Sequence, residues 1–209
     1  MHAQIRHSGA WLPWSMDPDG PDAKRVVSNL AARLRLDPQV DERIGLFPNG
    51  HTLRDASGVV EAIAGPHRFL SRSYSGGRPK GPVVAVYPTA EGLADAVGYA
   101  TDRLLVVLEW GSTPELEGWA TAVGAYNAQT DAETAPLDPE LHDEFSSMLM
   151  WDREISEGAQ RGRNRERVQS HLRVLKAAGL SEDFVIGYAL ALGLSDHSFP
   201  KLRAHYQAA

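Results

Sequence analysis

One segment constrains the fold more than any other. Residues 83–126 begin with an apolar, β-branched stretch, Val83–Tyr87, and Pro88-Thr89 leads it into Ala90–Ala100. A second buried-looking stretch follows, Arg103–Trp110, and then the start signal Ser112-Thr113-Pro114-Glu115. Ala90, Leu93, Ala94 and Val97 fall on one face of a helix, as do Leu116, Trp119, Ala120, Val123 and Tyr126. Either Ser112 caps the second helix with Glu115 closing a capping box, or Thr113 caps it with Pro114 at the first helical position. Strand–helix–strand–helix with short joints predicts an α/β (or α+β) fold: a small, mostly parallel or mixed sheet with covering helices.

The flanking sequence extends that frame. Residues 1–20 read as an irregular arm, with Trp11, Leu12 and Trp14 packing onto the rest. Asp22–Leu36 has helical periodicity through Val27, Leu30, Ala31 and Leu34, and Asp37-Pro38 stops it. Val40–Phe47 suits a strand and Thr52–Ala64 a helix. After residue 130 only helical patterns remain: one starting at Asp138-Pro139 and running to Ile155, then Asn164–Ala178, Ser181–Leu192 and a last one through Tyr206. The expected organisation is an α/β body over 1–130 and an all-helical region over 131–209, packed on it.

Several chemistries are excluded or unsupported. With 209 residues the chain is long enough to bury a core without a metal or disulfide. The absence of cysteine removes disulfides, thiolate metal sites and cysteine nucleophiles. The eight histidines have no metal-ligand spacing and no Gly-x-Ser-x-Gly elbow occurs, so no metal, no cofactor and no catalytic residue is assigned. Residues 1–20 lack the apolar run of a signal peptide, and no apolar run approaches membrane-spanning length. A cytoplasmic protein without membrane contact is expected.

Two places carry candidate binding chemistry. In open α/β sheets, ligands sit at the carboxyl ends of strands, which singles out Thr89, Glu109 and Ser112. The loop 71–82, with Gly76, Gly77, Arg78, Lys80 and Gly81, offers backbone N–H groups beside cations and is expected to gate that crevice for a phosphorylated small molecule. The second place is the C-terminal end. Ala189 and Gly193 have the four-residue spacing of a helix-turn-helix crossing, with Phe199 and Leu202 facing inward and Pro200 tolerable only in a first turn. Residues 184–206 thus resemble the helix-turn-helix of DNA-binding proteins.

Charge partition supports that second place. From residue 159 onward eight cations face four acids, a net +4, which leaves −10 of the total −6 for residues 1–158. Arg161, Arg163, Arg165 and Arg167 alternate along the chain, and His197, Ser198, Lys201 and Arg203 follow at the corner. Together they form the candidate contact to DNA or RNA. A solvated face, or pairing with the acidic body, is the competing reading. A protein partner or homo-oligomer is the third option, through Phe145–Met150 and Trp151.

The run from Val83 through Pro88-Thr89-Ala90-Glu91-Gly92-Leu93, with Leu116-Glu-Gly-Trp-Ala-Thr-Ala-Val-Gly-Ala-Tyr-Asn127, is similar to uncharacterised actinobacterial proteins in which a βαβ segment precedes a helical tail. That resemblance implies no activity. The expectation is therefore a binding or regulatory protein reaching nucleic acid through its C-terminal helices, or else an enzyme or binder of an anionic small molecule at the strand ends.

Overall fold

The computed structural model describes residues 5–13, 22–47, 60, 63, 68–71, 80–111, 113–150 and 163–209. It is an α/β chain whose contacts divide it into two compact units. One contains residues 6–113 and 124–134, the other residues 1–5, 114–123 and 135–209. The division is not sequential: the helix after the second strand of the βαβ segment belongs with the C-terminal helices.

The first unit is built on a sheet. Its strands are β1 (Ser8–Leu12), β2 (Ile44–Phe47), β3 (Arg68–Ser71), β4 (Val83–Val86), β5 (Leu104–Leu108), β6 (Tyr126–Asn127) and β7 (Ala132–Glu133). They lie in the order β3-β2-β4-β5-β1-β6-β7. All pairings are parallel except β6–β7. Every residue of β2, β4 and β5 is buried, as expected for parallel strands covered on both faces. Helix α1 (Ala23–Leu34) lies on one face, where Val26, Leu30 and Leu34 pack with Val84, Val86, Val106, Leu108, Val60 and Ile63. Helix α2 (Ala90–Tyr99) buries Leu93 and Ala96 outside that cluster. Right-handed crossovers explain the split: β1→α1→β2 and β4→α2→β5 travel in opposite directions along the sheet, so their helices cover opposite faces.

The amino-terminal arm is corrected by this sheet. Ser8–Leu12 is an interior strand, in register with β5 from Ser8↔Leu104 to Leu12↔Leu108 and joined to β6 on its other side. Its Ser-Gly-Ala-Trp-Leu sequence has little intrinsic strand preference; tertiary pairing overrides it. The strand expected over Val40–Phe47 begins only at Ile44, because residues 40–42 form a 3₁₀ turn. Gly81 packs against that turn: a Cβ there would collide with the Gln39 carbonyl oxygen and lie 2.7 Å from the Glu42 carbonyl carbon.

The second unit is helical, with α3 (Glu115–Val123), α4 (Pro139–Leu149), α5 (Arg163–Ala177), α6 (Glu182–Ala191) and α7 (Phe199–Gln207). Its boundaries follow local chemistry. Asp138 accepts from the Glu140 N–H (2.8 Å) at the start of α4, and Ser181 accepts from Phe184 (3.2 Å) at the start of α6. Both Gly179 and Gly193 adopt positive φ and close helices with paired bonds, Leu180 N–H to Leu175 and Leu194 N–H to Ala189 among them. A 3₁₀ turn over Asp196–Ser198 precedes α7, which places Pro200 in the first helical turn, where its missing N–H is harmless. The proposed oligomer face is corrected: Phe145, Met148 and Leu149 are buried inside this unit, and Met150 alone of that run is largely exposed. Trp151 lies outside the described residues. Among the described residues no helix is long and apolar enough to cross a membrane.

Candidate functional site

The topology selects a position for a ligand before any side chain is considered. The connection leaving β2 travels away from the sheet centre to β3, whereas the one leaving β4 travels the other way to β5. Adjacent strands whose connections diverge open a crevice at their carboxyl ends. At the end of β4 stands Tyr87, and it is the unusual residue of the sheet. Its φ is 52°, a left-handed conformation that bulky side chains rarely adopt. The other non-glycine residues at positive φ, among the described residues, are Asp102 and Asp131, a type that tolerates it.

The backbone there is pinned. The Tyr87 N–H donates to the Leu108 carbonyl (2.8 Å), and the Glu109 N–H donates to the Leu12 carbonyl (3.0 Å). Tyr87 turns onto the α1 side of the sheet, packing against the cluster that holds Val84 and Val86. There it meets Trp110, with ring centroids 5.1 Å apart and planes tilted by 48°. Trp110 is 54% exposed, so the pair offers an aromatic surface to solvent.

The polar groups expected here divide by location. Thr89 caps α2, its hydroxyl accepting from the Gly92 N–H at 3.2 Å. Glu109 Oε1 accepts from the Thr113 N–H (3.2 Å), which commits part of its carboxylate to the chain leading into α3. Ser112, Gly76, Gly77 and Arg78 lie outside the described residues. Lys80 is at the opposite edge: it precedes β4, and its carbonyl accepts from Arg103 Nε (2.6 Å) just before β5 begins. A four-residue strand separates it from Thr89, roughly 13 Å at about 3.3 Å per residue. The expectation that Lys80 joins Thr89 and Glu109 is therefore corrected.

Two cations that the sequence pattern did not single out belong to the carboxyl edge. Lys24 and Arg25 occupy the first turn of α1, which holds no acid. Arg25 reaches Asp22 (3.4 Å) and the Gln129 carbonyl (3.4 Å), the latter just past the end of β6. Cations at a helix N-terminus oppose the macrodipole, so this placement is not explained by helix stability.

The nucleic-acid set of the helical unit is not assembled as expected. Arg203 turns inward, bonding Glu182 Oε1 (2.7 Å) and Asp183 Oδ1 (2.6 Å) through Nη1 and Glu115 Oε1 (2.8 Å) through Nη2. Those acids hold its proton more tightly still, against the opposing effect of burial. Ser198 is fully buried, and its hydroxyl has no hydrogen-bond partner among the described residues. Both are thus withdrawn from a groove-reading surface. His197 is exposed, its N–H donating to Asp196 Oδ1 (2.9 Å), and Lys201 is half-buried. Arg165 and Arg167 are exposed on α5. Arg161 and the side chain of Arg163 lie outside the described residues.

Comparison with protein-family models, with curated proteins and with solved structures finds no match to this chain.

Proposed function

We propose that this chain binds a small molecule carrying a planar ring and an anionic group, at the carboxyl edge of its sheet. The observation that carries the reading is Tyr87 in a left-handed conformation at the topological switch point, with the half-exposed Trp110 set against it. Such a conformation costs about 1–3 kcal/mol and concentrates at functional positions. Here it brings a second ring beside Trp110, forming a platform for a planar group. Lys24 and Arg25 supply the charge for an anion on the same face of the sheet, and Thr89 lies at the start of the neighbouring crossover. A nucleotide-class ligand satisfies both requirements.

Calorimetric titration with nucleoside monophosphates, flavin mononucleotide, adenosine and inorganic phosphate tests this. A mononucleotide is expected to bind more tightly than adenosine or phosphate alone. Trp110→Ala is expected to weaken that binding about tenfold, since stacking on an aromatic side chain contributes about 1–3 kcal/mol per base. Because Trp110 is exposed, the same change is expected to leave stability within about 1 kcal/mol of the parent. Binding of no mononucleotide, or equal binding by the variant, overturns the reading.

A further inference from the structure

Helix α5 carries five cations, Arg163, Arg165, Arg167, Arg173 and Lys176, against one acid, Glu166. Four acids of the helical unit are engaged with partners outside α5's cation row. Glu115, Glu182 and Asp183 converge on Arg203, and Glu144 bonds His171 Nδ1 (2.6 Å). Three carboxylates thus surround one guanidinium, while α5 itself carries five cations against one acid.

The cations are also aligned. At about 100° per residue, Arg165, Arg173 and Lys176 fall within an arc of about 80°, over a length of about 16 Å. All three are exposed. The stripe borders α7: the Lys176 ammonium stands 5.2 Å from the centre of the Tyr206 ring and donates to its carbonyl at 3.3 Å. At the other end, burial and then the Arg165 charge lower the pKa of His205.

We infer that the α5 face bearing Arg165, Arg173 and Lys176 docks the phosphate backbone of a nucleic acid. A straight row of cations suits successive phosphates, and the rings of Tyr206 and His205 beside it suit bases. With Arg203 and Ser198 turned inward, the contact is to backbone and is not sequence-reading. This surface is independent of the strand-edge site, and its three cations lie outside the corner at 184–206.

Fluorescence anisotropy of the full chain with labelled single-stranded and duplex oligonucleotides tests it. Three phosphate contacts predict that affinity falls about 40-fold for duplex and about 20-fold for single strands between about 50 and about 200 mM salt. Arg165→Ala with Arg173→Ala is expected to reduce the duplex loss to about 4-fold, one contact remaining. Both positions are exposed, and a thermal melt checks that the double variant is folded. Arg33→Ala, in the sheet-containing unit, is expected to leave the salt dependence unchanged. Absence of binding at low salt, or an unchanged salt dependence in the folded double variant, overturns the inference. So does displacement by poly-glutamate as effective as by unlabelled oligonucleotide, which assigns the face to an acidic polypeptide.

Discussion

Gly187→Ala is expected to lower the thermal midpoint by about 5–10 °C, a loss of about 3 kcal/mol. The reason is the crossing of α3 and α6, where two backbones touch through two glycines. A Cβ on Gly187 would collide with the Glu115 carbonyl oxygen and stand 2.7 Å from its carbon. Reciprocally, a Cβ on Gly118 would collide with the Phe184 carbonyl and lie 2.8 Å from the Tyr188 nitrogen. No flexible side chain is available to yield, so the helices must separate. They would do so across an interface in which Leu116, Trp119, Ile186 and Ala189 are fully buried. Gly98→Ala is the matched control. It sits in α2, where an added Cβ would meet nothing within 4 Å, and helix propensity alone predicts a gain of about 0.5–1 kcal/mol. Equal effects of the two substitutions on urea unfolding would contradict the close crossing.

The stability of the sheet-containing unit is expected to fall by about 3 kcal/mol as pH drops from about 6.5 to about 4. His7, immediately before β1, is buried, and desolvation pushes its pKa from 6.5 down to about 4. The folded state therefore binds fewer protons than the unfolded chain in this window. The contribution is complete above pH 6.5 and is lost as pH falls toward the folded value. His7→Leu removes the titrating ring, so its unfolding free energy should change less with pH over that interval than the parent's. The decisive readout is this difference in slope, which is insensitive to whatever the substitution does at neutral pH. Parallel slopes for the two proteins would show that His7 is not held neutral.

The βαβ segment was legible because Val83–Val86 and Leu104–Leu108 are unbroken apolar runs, separated by a helix with a visible cap at Thr89. Ser8–Leu12 was not, because a strand rich in small residues acquires its identity from β5 and β6 rather than from its own pattern. The periodicity of Leu116, Trp119 and Ala120 showed that a face of α3 is buried, whereas Tyr126, expected on that face, belongs to β6; periodicity also does not name the partner. Pairing with α6 comes from Gly118 and Gly187, whose close approach no local pattern reveals. At the corner, Gly193 was readable from its turn chemistry, whereas the inward turn of Arg203 depends on Glu115, 88 residues away in sequence.

The candidate site divides in the same way. Thr89 and Glu109 follow from the rule for strand ends. Tyr87 could not be anticipated, since tyrosine has no preference for the positive φ it adopts. Lys80 looked like part of the crevice because loop composition says nothing about which edge of a sheet a residue reaches.

The proposed ligand site is the carboxyl edge around Tyr87 and Trp110. Nuclear magnetic resonance titration with a nucleoside monophosphate tests it most directly. The Trp110 indole signal, assigned by its loss in Trp110→Phe, should shift and saturate together with the amides of Tyr87, Thr89 and Arg25. The Trp119 indole, buried in the helical unit, should stay in place. Shifts confined to the Lys80–Arg103 edge, or a Trp110 signal unmoved at saturation, would contradict the account.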